Sequence, residues 1–181
     1  MKRDVITTHP EANAHAAADL MLDHQIMPHQ LWRTILVPHD FSASANHAAA
    51  IARDQAKLHG GKLLLLHVCD LPLDLGPDTT LIVARDAASP ITMRHFAMSS
   101  AEAHLRDLAA RLGREDVAAE VFVRVGKPVD EINRFATEHA VDVVVMGTHG
   151  RTGIRHLLAG SVTERIVRTS AVPVMTIRHP D

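Results

Sequence analysis

The chain has 181 residues, more than one compact α/β domain of about 150 residues requires and too few for two full domains, so a single domain with an additional arm fits best. A formal charge of -2 with no basic run offers no electrostatic footprint for nucleic acid or an anionic membrane, and neither is expected as a partner. A single cysteine, Cys69, excludes an intrachain disulfide framework and a cysteine-built zinc cluster.

Asp19 and Asp23 interrupt the apolar residues near the start, so no signal-peptide run forms there. No stretch reaches the roughly 18 apolar residues that span a bilayer. A cytoplasmic location is the expectation. Hydrophobic residues make up 46% of the chain and aromatics only 3%, so the core must be Ala, Val, Leu and Ile, which suits helices packed closely on aliphatic strands.

Residues 1–31 carry no recognisable motif, only helical spacing from about Glu11 to Leu22, and are read as an N-terminal extension to a domain at 32–181. The first strand is Thr34 to Pro38 (TILVP). A helix follows from about Ser44 to His59, with Ala45, Ala48, Ala49, Ala52 and Ala56 on one small-residue face. A second apolar run, Lys62 to Val68, precedes a connection from Asp70 to Ile91 whose Pro72, Gly76, Pro77 and Pro90 fit no periodic element. From about Thr92 to Leu112, Ala101, Leu105, Leu108 and Leu112 recur at helical spacing, and Gly113 is the stop. A more mixed strand runs from Glu120 to Val125. Pro128 opens a third helix with Val129, Ile132, Phe135 and Ala136 inward, because a first-turn proline loses no hydrogen bond. Val143 to Gly147 is a strand, a fourth helix begins at Ser161, and Val172 to Ile177 is the last strand.

Apolar runs without polar alternation are strands buried on both faces. With right-handed crossovers, the β-α alternation predicts an α/β fold: a doubly wound, five-stranded parallel sheet, Rossmann-like, in strand order 3-2-1-4-5 with helices on both faces. Its ligand cleft lies at the carboxyl ends of the strands, where the winding direction reverses.

The stretch VVVMGTHGRTGIRHLLAGSVTERIV is the most informative. A strand ends at Gly147, Gly150 follows, and after nine intervening residues Gly160 and Ser161 stand at a helix start. Glycines let backbone approach a ligand closely, and the first N–H groups of a helix are donors to phosphate. The spacing describes a triphosphate cradle.

This G-x2-G-x9-G-S pattern, with ILVPHDFS after the first strand, VGKPVDEI, DVVVMGTHGRTG and the closing VPVMTIR, resembles the ATP-binding branch of the universal stress protein family over roughly Arg33 to Arg178. The resemblance implies that Pro38, His39 and Asp40 flank the adenosine, with Asp40 on ribose or base, and that Val68 meets adenine through its backbone. It further implies that Met146 and Gly147 line the nucleoside pocket and that Gly150, Gly160, Ser161, Val162 and Thr163 hold the phosphates. His39 stands at a position that varies in the family. Two readings stand for Arg151 and Arg155, contact with a γ-phosphate or solvated arginines on a surface loop, and His149 and His156 flank the phosphate loop. Two readings stand for Asp40, nucleoside partner or turn and cap acceptor, and two for Ser161, phosphate contact or helix cap.

The remaining candidates are weaker. The fourteen histidines are scattered without a zinc-type spacing backed by a carboxylate. Cys69 reads as a small buried hydrophobe. No Walker-type loop is present, since Gly61-Lys62 leads into Leu63, and no G-x-G-x-x-G follows a strand. The expected protein binds ATP, with Mg²⁺ on the phosphates, as a nucleotide-responsive module. The alternatives are a slow ATPase or autophosphorylating enzyme, with Ser161 or Thr163 as acceptor, and a stress-response dimer that binds no nucleotide. Because the last strand comes at a sheet edge, a homodimer paired through Val172 to Ile177 is expected, in the antiparallel arrangement the resemblance implies.

Overall fold

The computed structural model describes residues 32–71, 80–81, 91–113, 117–148 and 162–178. Its elements are β1 (Thr34–Pro38), α1 (Ala43–His59), β2 (Lys62–Cys69), β3 (Thr80–Leu81), β4 (Ile91–Thr92), α2 (Met93–Leu112), β5 (Ala118–Val125), α3 (Pro128–Glu138), β6 (Val143–Gly147), α4 (Val162–Thr169) and β7 (Val174–Ile177). The order β5-β2-β1-β6-β7 is the predicted 3-2-1-4-5, and every neighbouring pair in this sheet is parallel.

Alternation along the strands sorts the core into two layers. Ile35, Val37, Leu63, Leu65, Val143 and Val145 face α1 and α2, meeting Ala48, Ala52, Leu105 and Leu108. Leu36, Leu64, Leu66, Val144 and Met146 face the other way, onto Val129, Ile132 and Phe135 of α3 and Ile166 of α4. These eleven buried strand residues divide between the two layers, which is why the runs lack polar alternation.

Capping chemistry sets the helix bounds. Ser42 Oγ accepts the Ala45 N–H at 3.1 Å to begin α1, and Gly60, at φ 61°, ends it by donating to the carbonyls of Ala56 and Lys57. Thr92 Oγ1 does the same for the His95 N–H of α2. Pro128 opens α3 without a side-chain cap, and the buried Glu131 one turn in is paired with Arg124 and Arg134. The Arg124 guanidinium also lies 4.8 Å from the centre of the Phe135 ring, a cation–π contact.

Three elements depart from expectation. β7 begins at Val174 rather than Val172: Ser170 Oγ binds both the carbonyl and the N–H of Val172, and Pro173 has no N–H for a ladder. β5 starts at Ala118, before Glu120, and is the outer strand on its side; half-buried rather than buried positions explain its mixed composition. The connection after β2, taken as aperiodic, contains the short antiparallel pair Thr80–Leu81 with Ile91–Thr92. The expected extension at 1–31 lies outside the described residues. Among the described residues no helix is long and apolar enough to cross a membrane.

Candidate functional site

The chain winds from β1 through β2 to β5 on one side and returns through β6 to β7 on the other, so the winding reverses between β1 and β6. Their carboxyl ends place Pro38, His39 and Asp40 beside Met146 and Gly147, with Val68 at the end of β2. Six of the sequence-predicted positions therefore gather at one sheet end. Val162 and Thr163 of α4 come to the same end, where Thr163 Oγ1 donates to the Gly147 carbonyl at 2.8 Å. Gly150, Arg151, Gly160 and Ser161 lie outside the described residues, as do His149, Arg155 and His156.

The turn after β1 is the most constrained part of the site. The His39 N–H continues the ladder to the Leu66 carbonyl at 2.8 Å. Asp40 Oδ1 accepts the Ser42 N–H at 3.0 Å, an Asx turn that aligns Ser42 to cap α1. The cap is thus Ser42 and the turn acceptor Asp40. Between them Phe41 has φ 66°, a left-handed conformation that a bulky residue adopts only when its surroundings hold it there. Its N–H donates to His39 Nδ1 at 3.1 Å, and its ring packs on His67 with centroids 4.5 Å apart.

His39 is 4% exposed, and burial lowers its pKa from 6.5 to about 4, against the attraction of the Asp40 carboxylate. The Asn46 side chain also favours the charged ring, yet Nε2 makes no hydrogen bond of acceptable geometry, so desolvation decides. His67 and Arg111 add repulsion. The ring is neutral at pH 7.

At the other strand end the determining feature is a missing side chain. A Cβ on Gly147 would come within 2.9 Å of the Ser44 carbonyl group and closer still to Ser44 Oγ, so α1 rests directly on the end of β6. Met146 is 5% exposed and packs its side chain in the core with Leu36 and Ile166, leaving only backbone for a ligand.

A cleft of about 470 Å³ opens between this turn, the end of β2 and the first turns of α2. Asp40, Val68 and Cys69 line it, and so do residues that sequence reasoning passed over: Phe41, His67, Phe96, Ser100 and His104. His67 carried a readable signal, a polar residue in the run KLLLLHVC. Phe96 carried none: only the structure shows it as an aromatic 43% exposed at a helix start rather than a core residue. Cys69 is buried, as expected, and is one of the residues that line the cleft. Among the described residues no three His, Cys, Asp or Glu side chains come together as metal ligands.

The sequence pattern of the universal stress protein family matches residues 31–178. The chain belongs to that family. It is 29% identical over 158 residues to the universal stress protein MJ0577 of Methanocaldococcus jannaschii, covering 82% of this chain and 96% of that protein. The solved structure of MJ0577 superposes with a TM-score of 0.67 at 24% identity, over 83% of this chain and 99% of the other. A universal stress protein of Archaeoglobus fulgidus solved in complex with dAMP shares the fold at a TM-score of 0.55 and 20% identity, over 81% of this chain and 98% of that one. Another solved in complex with cAMP does so at 0.58 and 23%, over 82% and 98%.

Proposed function

We propose that this universal stress protein binds ATP at the carboxyl end of its sheet and acts as a nucleotide-responsive homodimeric module of the stress response. The observation that carries the reading is the convergence of Asp40, Val68 and Gly147 on adjacent strand ends at the winding reversal, beside a cleft of about 470 Å³. Open α/β sheets bind their ligands at that place, and the volume falls within the usual range for small-molecule sites. Binding of adenine mononucleotides by two proteins of the same fold supports the choice of ligand.

The residues fit a nucleotide. Asp40 supplies a carboxylate for ribose hydroxyls or an exocyclic amine, and the backbone at Val68 borders the cleft. Gly147 leaves backbone bare where the phosphate segment begins. Gly150, Arg151, Gly160, Ser161, Val162 and Thr163 would hold the phosphates, and Mg²⁺ would be carried on them. When bound, the triphosphate supplies charge that the helix N-terminus and loop amides neutralise. Thr163 already spends its hydroxyl proton on the Gly147 carbonyl, which favours binding over phosphate transfer to that residue.

β7 is an outer strand whose Val174, Met175 and Ile177 are only half-buried, which supports pairing of Val174 to Ile177, the part of the expected strand that is free of the Ser170 turn, with the same strand of a second copy. A cytoplasmic location completes the reading. Denaturing the purified protein and identifying the released small molecule tests the ligand: adenine nucleotide near one per chain supports the proposal, and none released with none bound on adding ATP contradicts it. Sedimentation equilibrium at micromolar concentration tests the dimer.

A further inference from the structure

Two imidazoles determine the backbone of the turn that carries Asp40. His67 Nδ1 lies 2.7 Å from the His39 carbonyl oxygen; a carbonyl only accepts, so this Nδ1 holds its proton and donates. His39 Nδ1 lies 3.1 Å from the Phe41 nitrogen; an amide N–H only donates, so this Nδ1 is bare and the proton of the neutral ring sits on Nε2. The two Nδ1 atoms thus play opposite parts, one donating and one accepting, each dictated by the backbone atom it meets. One ties β2 to the turn, and the other closes the turn on itself.

The residue between these bonds and the cap is Phe41, in its left-handed conformation at φ 66°. A phenylalanine leaves that region unless restrained. Its restraints are the N–H bond to His39 and the ring contacts with His67 at 4.5 Å, His39 at 5.4 Å and His104 at 5.4 Å. Asp40 stands between the two restrained residues, so its carboxylate follows the turn.

We propose that His39 and His67 are positioning residues that lock the Pro38-to-Ser42 turn and so set Asp40 toward the cleft. The purpose of the lock rests on the nucleotide reading above, whereas its existence does not. Burial supports it by keeping His39 neutral, which its acceptor role requires. The groups around His39 are Asp40 on the turn, Asn46 on α1, His67 on β2 and Arg111 on α2. Of these Asp40 and Asn46 favour a charged ring, and His67 and Arg111 oppose it.

The test uses the full chain with paired variants. His39→Asn places an amide oxygen near the position of Nδ1 and keeps an acceptor, and His67→Asn places an amide N–H there and keeps a donor; His39→Leu and His67→Leu remove both. Amide exchange at Phe41 is read by NMR without ligand, and adenosine and ATP affinity by calorimetry. Each leucine variant is expected to exchange the Phe41 amide at least about tenfold faster and to bind both ligands about tenfold more weakly, by similar factors. The asparagine variants should stay within about threefold of the parent in both measurements. His39→Leu orphans the Phe41 N–H but also removes a buried, unpartnered Nε2, so its melting temperature should stay near that of the parent while affinity falls. Unchanged Phe41 exchange in the leucine variants overturns the proposal, and so do asparagine variants as impaired as the leucines. A parent protein that binds neither ligand overturns the nucleotide reading instead, while exchange at Phe41 still decides the lock.

Discussion

At the carboxyl end of β1 the backbone is held by side chains, with His39, Asp40, Phe41 and His67 each engaged in the turn. At the end of β6, beside it in the sheet, the backbone is placed by the lack of one, since Gly147 lets Ser44 approach to where a Cβ would stand. The first region depends on the chemical identity of its residues, the second on space. This difference predicts opposite tolerance: conservative polar replacements should rescue the nucleoside side, and no side chain of any kind should be accepted at Gly147.

The largest effect is expected where space decides. Gly147→Val puts branched carbon against the Ser44 backbone of α1, and neither element shifts without uncovering the layer of Ile35, Val37 and Val145. A loss of about 3 kcal/mol in urea denaturation is expected, with ATP binding abolished in the folded fraction. An unaltered midpoint would erase the contrast between the two regions.

Acid sensitivity probes the side-chain region. His39 binds its proton at about pH 4 folded and 6.5 unfolded, so between those values the unfolded chain takes up a proton that the folded chain refuses. Stability is therefore full above about pH 6.5 and declines as pH falls to about 4, by about 3 kcal/mol for this ring. His39→Leu lacks the ring, and the difference between parent and variant curves isolates it. A flat difference across this window would show that the ring is not buried as described.

Asp40→Ala removes both the Asx-turn acceptor and the proposed nucleoside contact. Weakening of ATP, ADP and adenosine by similar factors, about tenfold, is expected, alongside about 1 kcal/mol of lost stability. Lost stability with unchanged affinities would leave Asp40 only the turn. The smallest effect is expected from Thr163→Val, which deletes the bond to the Gly147 carbonyl at a cost of about 1 kcal/mol. Thr163→Ser should retain it, as urea midpoints of the pair will show.

The fold was legible because hydrophobic burial speaks through composition: β1 and β6 run as predicted, and the alanine face of α1 is buried as its spacing requires. Element ends were less legible, since the start of β7 depends on a hydroxyl turn at Ser170 that no apolar pattern encodes. In the site, Asp40 and Gly147 were read from motif and spacing. Phe41 and the wall of Phe96, Ser100 and His104 were not, because a left-handed phenylalanine and a helix brought across from another layer leave no local periodicity. Met146 shows the reverse, a motif position whose side chain belongs to the core.

ATP binding in one cleft with separate nucleoside and phosphate sides, as proposed, is tested most directly by Gly160→Val. Gly160 opens the second half of the G-x2-G-x9-G-S pattern, where, on the proposed reading, a branched side chain would fill phosphate space and disfavour a backbone that aims N–H groups at oxygen. Calorimetric titration of the folded variant should show ATP affinity reduced by about a hundredfold or more and adenosine affinity within about threefold of the parent, a gap of several charge-assisted hydrogen bonds. Undiminished ATP affinity in the folded variant would contradict the account.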